Sequence, residues 1–95
     1  MNKIEENAKK LSELLKVLSN QYRLLILCNL IEKDHTVSDL GKKLPRITQS
    51  ALSQHLAILK AHGILDSEKE GQTVTYSLAD DRIKAVMRIL KEKYC

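Results

Sequence analysis

Two threonines, Thr36 and Thr48, each precede a short segment of helix-forming composition, and the chain's only proline, Pro45, lies between the two segments. A threonine hydroxyl at an N-cap accepts a backbone N–H of the first helical turn, and an acid three residues after Thr36 matches the capping-box pattern. Proline disfavours a helical conformation for the residue before it. The spacing therefore predicts two short helices, about Val37–Leu44 and Gln49–His62, separated by a tight break.

The chain before this pair predicts two further helices. Apolar residues recur every three or four positions in the first, which favours an amphipathic helix over about Ile4–Leu18. These positions are Ile4, Ala8, Leu11, Leu15 and Leu18. The next segment, about Gln21–Ile31, is apolar on nearly every face, as is typical of a helix at the centre of a core. Ser19-Asn20 supplies the break between them and a new N-cap.

The periodicity changes after Gly63. Thr73–Leu78 is β-branched and alternating, which predicts a strand that pairs with the polar segment before it across a turn at Glu70-Gly71. A last helix begins at Asp80 or Asp81. Its apolar residues are expected on one face; they are Ile83, Val86, Met87, Leu90 and Tyr94. The fold class is therefore mainly α with a small β-hairpin, in the order α-α-α-α-β-β-α, and residues 1–95 form a single domain.

Two consecutive short helices joined by a tight break are the sequence form of a helix-turn-helix, and the hairpin behind them would be a wing. The second helix of such a pair needs small polar side chains on its outer face, because base edges offer hydrogen-bond donors and acceptors at close range. We expect base or backbone contacts from Thr48, Gln49, Ser50, Ser53, Gln54 and His55. The wing would add Lys69, Gln72 and Thr73.

Charge distribution agrees with a double-stranded DNA partner. The segment from Leu40 to His62 contains no acid. The positive charge of its Lys and Arg residues, +4, equals the formal net charge of the whole chain. Among them Lys42, Lys43 and Arg46 lie at the start of the helix pair, where phosphates would pass. The alternative is a generic helical domain with a solvated polar face.

A dimer would double the short half-site that one such unit covers and would match an imperfect palindrome. The first and last helices each carry an apolar stripe, so we expect them to pair across a two-fold axis. The alternative is that both stripes pack only within the monomer.

Composition excludes several classes of protein. Two cysteines in 95 residues are too few for a disulfide-scaffolded secreted domain. Met1–Lys10 has no apolar signal-peptide core, and no apolar run approaches the roughly 20 residues of a membrane span. A thiol enzyme would need a Cys–His pair with an orienting residue, and no such arrangement is visible. We expect a cytoplasmic protein without a cofactor, without membrane contact and without enzymatic activity.

Three segments carry a family resemblance, namely Leu18–Leu27, Thr48–Leu56 and Gly71–Leu78. Through them the whole chain resembles the ArsR/SmtB family of winged-helix transcriptional repressors. The resemblance implies a dimer that binds its operator until an inducer, often a metal, releases it. The family's metal patterns are missing here, since Val37–Leu44 has no Cys-x-Cys and the last helix has no histidine. No metal site is therefore expected. The three histidines, His35, His55 and His62, are predicted in loops or on the DNA face.

Cys28 and Cys95 occupy positions similar to those of the sulfide- and persulfide-sensing branch of that family, the BigR/SqrR/HlyU branch. The resemblance implies a dithiol switch in which a disulfide or a polysulfide joins the two thiols and weakens operator binding. Two alternatives remain: a metal sensor that uses Cys28, Cys95 and a histidine, and an inducer-independent regulator that acts by anti-silencing.

Overall fold

The computed structural model describes residues 2–94, which form five helices and one small antiparallel sheet. The elements are α1 Lys3–Leu18, α2 Gln21–Leu30, β1 His35–Thr36, α3 Val37–Lys43, α4 Gln49–Ala61, β2 Leu65–Glu70, β3 Thr73–Leu78 and α5 Asp81–Tyr94. The expected order of helices and hairpin is confirmed, and every predicted helix end lies within about one residue of the observed end. The strand β1 is an addition to that order, because two residues are too short to show an alternating pattern.

The predicted caps form as hydrogen bonds. The Asn20 carboxamide oxygen accepts from the backbone N–H groups of Tyr22 and Arg23 at 2.9 and 3.1 Å, which fixes the start of α2. The hydroxyls of Thr36 and Thr48 each accept from the backbone N–H three residues ahead, at 3.0 and 3.1 Å. These bonds satisfy N–H groups that a helix cannot pair internally. The start of each helix in the pair is therefore fixed by local chemistry.

The sheet has the order β1-β3-β2, with both pairings antiparallel. In the hairpin Leu65 lies opposite Leu78 and Glu70 opposite Thr73. Gly71 opens the two-residue turn with φ of +63°, as a type II′ hairpin turn requires at its first central position. The pairing of β1 with β3 anchors the wing to the segment that leads into α3.

The core is aliphatic and is centred on α2, α4 and the base of the wing, while the terminal helices contribute less to it. Val17 and Leu18 are the buried residues of α1. In α5, Ile83 and Met87 are buried, whereas the side chains of Val86 and Tyr94 are 42% and 85% exposed. Of the residues expected on one face of α5, Ile83 and Met87 therefore pack into the core, while Val86 and Tyr94 are open to solvent. No helix within residues 2–94 is long and apolar enough to cross a bilayer.

His35 also departs from its expected place. Its side chain is buried and its Nδ1 lies 2.8 Å from the Lys33 carbonyl oxygen, while Nε2 has no hydrogen-bond partner among the described residues. Pairing of β1 with β3 places His35 opposite Tyr76, and this long-range contact carries the ring into the interior. His35 is therefore a core residue and not part of a surface loop.

Candidate nucleic-acid interface

The helix α4 presents a polar face to solvent. Leu52, Leu56 and Leu59 form its buried stripe, which packs into the core. At about 100° per residue, Ser50 and Gln54 fall on the opposite side and Ser53 falls on the flank that it shares with Gln49 and Lys60, and all three are exposed. The leucines therefore fix which way the helix faces, and the predicted base-contacting side chains point away from the protein.

The flank of α4 next to the wing is held by a side-chain bond. The ammonium of Lys60 donates to the Ser67 hydroxyl on β2 at 2.7 Å. Nearer the start of α4, Gln49 lines an open groove of about 900 Å³ between α3, α4 and the wing. Lys42, Gln72 and Thr73 line the same groove, so four predicted DNA-contacting residues from three elements meet there.

The opposite flank of α4 faces α2, and His55 lies on it. Its ring is half-buried, and its Nδ1 accepts a hydrogen bond from Arg23 Nε at 3.3 Å. The Tyr22 ring lies beside it with the two ring centroids 6.1 Å apart. Burial and the nearby guanidinium lower the pKa of His55. His55 therefore lies apart from Ser50, Ser53 and Gln54, at the border of α4 with α2.

The basic residues expected at the phosphates are accessible. Lys42, Lys43 and Arg46 are all exposed, and none of them is in an ion pair within residues 2–94. Lys42 and Lys43 belong to the last turn of α3, where the helix dipole favours positive charge. Lys42 also lines the groove, and Thr48 at the start of α4 is exposed as well. This part of the surface is positive and unobstructed.

The wing has two unlike faces, a feature that the sequence reasoning missed. Side chains alternate along a strand, so Asp66, Glu68 and Glu70 share one face of β2, while Ser67 and Lys69 share the other. Thr73 lies directly opposite Glu70 and so falls on the acidic face, away from Lys69. The sequence could have predicted this acidic face, because acids occur at every second position of β2. The predicted wing contacts Lys69 and Thr73 therefore point in different directions.

Of the two cysteines, Cys28 lies within the described residues and Cys95 does not. Cys28 is half-buried on α2 and packs against the core. An ion pair between Lys91 and Glu32 connects α5 to the segment just beyond α2, and the hydrogen bond from Lys91 lowers the pKa of Glu32. Within residues 2–94 no group of three or more His, Cys, Asp or Glu side chains is arranged to hold a metal ion.

Apolar side chains remain exposed on both terminal helices. On α1 the side chains of Ile4, Leu11 and Leu15 are 80%, 54% and 52% exposed. On α5 Val86 and Ile89 form a second exposed apolar strip beside the buried one. Large apolar residues aligned in this way along a helix are typical of a surface that another chain covers.

Comparison with known proteins identifies the kind of protein to which this chain belongs. The model of the HxlR-like helix-turn-helix family matches residues 17–93. The transcriptional activator HlyU of Vibrio cholerae is 41% identical over 95 residues, which cover 100% of this chain and 87% of HlyU. The solved structure of reduced HlyU from the same organism matches with a TM-score of 0.92 over 100% of this chain and 99% of that one, at 41% identity.

Two further relatives are repressors. The transcriptional repressor BigR from Xylella fastidiosa has a structure that matches with a TM-score of 0.86 at 29% identity, covering 97% of this chain and 90% of that one. The repressor SmtB of Mycobacterium tuberculosis is 37% identical over 75 residues, which cover 79% of this chain and 55% of SmtB. These relatives are regulators of transcription and not enzymes, and they confirm the resemblance drawn from the sequence. The chain belongs to the HxlR-like helix-turn-helix family and is a winged-helix transcriptional regulator of the HlyU and BigR type.

Proposed function

We propose that this regulator inserts α4 into the major groove of double-stranded DNA and contacts the flanking phosphates from the residues around it. The main support for this proposal is the exposed polar face of α4. It lies on the other side of the helix from a buried leucine stripe that fixes the orientation of α4. Gln49, Ser50, Ser53 and Gln54 supply donors and acceptors suited to base edges. Lys42, Lys43 and Arg46 meet phosphates, as do Thr48 and the tip of the wing at Lys69, Gln72 and Thr73.

The working unit is a homodimer of one domain, residues 1–95, joined through α1 and α5 and bound to an imperfect palindrome. The exposed leucines of α1 support this pairing, because the monomer leaves them in contact with water. A two-fold dimer places two copies of α4 about one helical turn of DNA apart, roughly 34 Å, and therefore fits two half-sites. The exposed strip at Val86 and Ile89 extends the same surface.

We further propose that the protein is a repressor whose operator affinity falls when Cys28 and Cys95 are oxidised by a persulfide. In the simplest form, two thiols and one persulfide RSSH give a protein disulfide, RSH and H₂S, so that the two cysteines lose two electrons and two protons. The relative HlyU has been solved in a form described as reduced, which supports redox chemistry at the thiols of this group. Because α2 and α5 are in contact, a link between the two cysteines would change the position of α5 at the dimer surface.

One observation favours a second output, activation of transcription, which anti-silencing without an inducer would produce. The relative HlyU is a transcriptional activator, whereas BigR is a repressor. A reporter placed behind a bound operator distinguishes the two outputs. Expression rises on deletion of the regulator if it represses, and falls if it activates.

The DNA-binding proposal is tested with fluorescent duplexes obtained by selection from a random library with the full chain. Gln49→Ala and Ser53→Ala should each weaken binding about 10-fold at fixed salt, in line with the roughly 1–3 kcal/mol of a good base contact. Lys10→Ala on α1 is the control and should bind like the native chain. Equal affinity for all four proteins would exclude α4 as the helix that contacts bases.

The switch is tested on the same duplex after treatment with glutathione persulfide. The native chain should lose affinity and show a mass change consistent with a disulfide or polysulfide link. Cys28→Ser and Cys95→Ser should each keep their affinity under the same treatment. Unchanged binding of the treated native chain would contradict the switch and leave the DNA-binding proposal intact.

A further inference from the structure

A single guanidinium connects three helices beside the exposed polar face of α4. Arg23, in the first turn of α2, donates from Nη1 to the Val17 carbonyl oxygen at 2.8 Å, in the last turn of α1. Its Nε donates to His55 Nδ1 at 3.3 Å, in the middle of α4. Because Asn20 caps the same turn of α2 through two backbone N–H groups, the base of the Arg23 side chain is itself fixed.

This arrangement determines which nitrogen of His55 carries the proton. An arginine guanidinium only donates hydrogen bonds and does not lose its charge in proteins. Nδ1 must therefore offer a lone pair to Arg23, and the neutral imidazole must hold its hydrogen on Nε2. Burial and the adjacent positive charge lower the pKa of His55, so the neutral ring predominates near pH 7.

The remaining nitrogen is available for another molecule. No hydrogen bond within residues 2–94 uses His55 Nε2, and the ring is only half-buried. His55 borders the exposed polar face of α4 on the side of α2, whereas Gln49 and Lys60 border it on the side of the wing. The two strands that bound a major groove would pass along these two borders when α4 lies between them.

We propose that Arg23 is a positioning residue that holds His55 as the Nε2–H tautomer, so that His55 donates a neutral hydrogen bond to a phosphate oxygen on the α2 side of the groove. This proposal rests on the proposed insertion of α4 into DNA and assigns His55 to the phosphate backbone instead of a base edge. It also gives Arg23 a role in DNA affinity without contact to DNA.

The tautomer is read directly by long-range proton–nitrogen NMR of the uniformly ¹⁵N-labelled full chain. In the native protein at pH 7, we expect Nε2 to be protonated and Nδ1 to be unprotonated. In Arg23→Met the pKa of His55 should rise toward its ordinary value of 6.5, because the like charge is lost, and Nδ1–H should become populated. A native ring protonated on Nδ1 would overturn the proposal.

The phosphate contact is tested with His55→Asn, whose amide oxygen can accept from Arg23 but which has no group at the position of Nε2. We expect the thermal midpoint to stay within a few degrees of the native value while DNA affinity falls about 3- to 10-fold. Because the lost donor is neutral, the salt dependence of binding should not change. His55→Gln, which carries an amide donor near the position of Nε2, should recover part of the affinity.

The controls separate this inference from the proposed function. If Gln49→Ala and Ser53→Ala leave affinity unchanged, α4 is not the base-contacting helix, and the proposed function fails. If those variants bind weakly but His55→Asn binds like the native chain, only the inference about His55 is overturned. A large fall in the thermal midpoint of His55→Asn with normal affinity at low temperature would likewise overturn it, because His55 would then be purely structural.

Discussion

The ammonium of Lys60 lies 2.7 Å from the hydroxyl oxygen of Ser67, so the last turn of α4 is bonded to the first half of the wing. The bond between Arg23 and His55 holds the other flank of the same helix to α2. The helix α4 is thus fixed from both sides, and neither bond uses its exposed face. The charge of Lys60, which is one of the four positive charges in the acid-free segment from Leu40 to His62, points toward the wing.

Removal of the bond between α4 and the wing should have a small effect on both stability and affinity. Ser67→Ala keeps the charge of Lys60 and should lower the free energy of unfolding by at most about 1 kcal/mol, the usual net contribution of one hydrogen bond. Lys60→Gln should leave the salt dependence of DNA binding unchanged, because its ammonium is directed at Ser67. Urea unfolding and binding titrations over a range of salt measure the two effects. A salt slope reduced by about 2 in Lys60→Gln, once for each subunit of the dimer, would show that Lys60 contacts a phosphate instead.

The exposed basic residues near α3 should carry the salt dependence. Each phosphate contact adds about 0.9 to the slope of log K against log salt. In a dimer, Lys42→Gln, Lys43→Gln or Arg46→Gln should therefore reduce the slope by about 2, once for each subunit. Lys10→Gln is the matched control, since it removes the same charge from α1. A control slope that falls as far as the others would indicate a general effect of net charge and contradict specific phosphate contacts.

The exposed stripe of α1 should hold the dimer together. The Leu11 side chain is 54% exposed in the monomer, so Leu11→Glu should leave the fold of each chain intact while placing two charges in the dimer interface. We expect a monomer by sedimentation velocity and a large loss of operator affinity. Ser12→Glu adds the same charge one position along the helix and should remain dimeric. A dimeric Leu11→Glu protein would exclude this face from the interface.

Much of the fold was accessible from the sequence because it depends on neighbouring residues. The caps at Asn20, Thr36 and Thr48 and the leucine stripe of α4 follow from local hydrogen bonds and a 3.6-residue period. The strand β1 was not accessible, since its pairing with β3 joins distant segments and its two residues show no alternation. The interior position of His35 depends on that same pairing.

The candidate site divides in the same way. Exposure of Ser50, Ser53 and Gln54 follows from the helical period once the buried face is known. The contact between Arg23 and His55 spans 32 positions in sequence and depends on how α2 crosses α4, which no local pattern encodes. The acidic face of the wing could have been predicted from the sequence, because acids at every second position of a predicted strand lie on one face.

Asp80 should make the stability of α5 dependent on acid. Its carboxylate accepts hydrogen bonds from the Arg82 side chain at 2.7 and 3.1 Å and from the Arg82 backbone N–H at 2.8 Å. The Arg82 side-chain bond, with smaller contributions from the backbone N–H groups at the start of α5, lowers the pKa of Asp80 below 3.8 despite the opposing effect of burial. A carboxyl whose pKa is lower in the folded state contributes stability that is fully present above its unfolded pKa and is lost as the pH falls through the folded value.

Asp80→Ala should therefore lower the free energy of unfolding at pH 7 by about 1 kcal/mol, as expected for loss of a helix cap, and the difference from the native chain should shrink below about pH 4. Asp81→Ala removes a carboxylate whose side chain is 95% exposed, 3.7 Å from Lys84, and is the matched control with little expected effect. Urea unfolding at a series of pH values from 7 downward measures both variants, and an Asp80→Ala deficit that persists unchanged into the acid range would contradict the assignment.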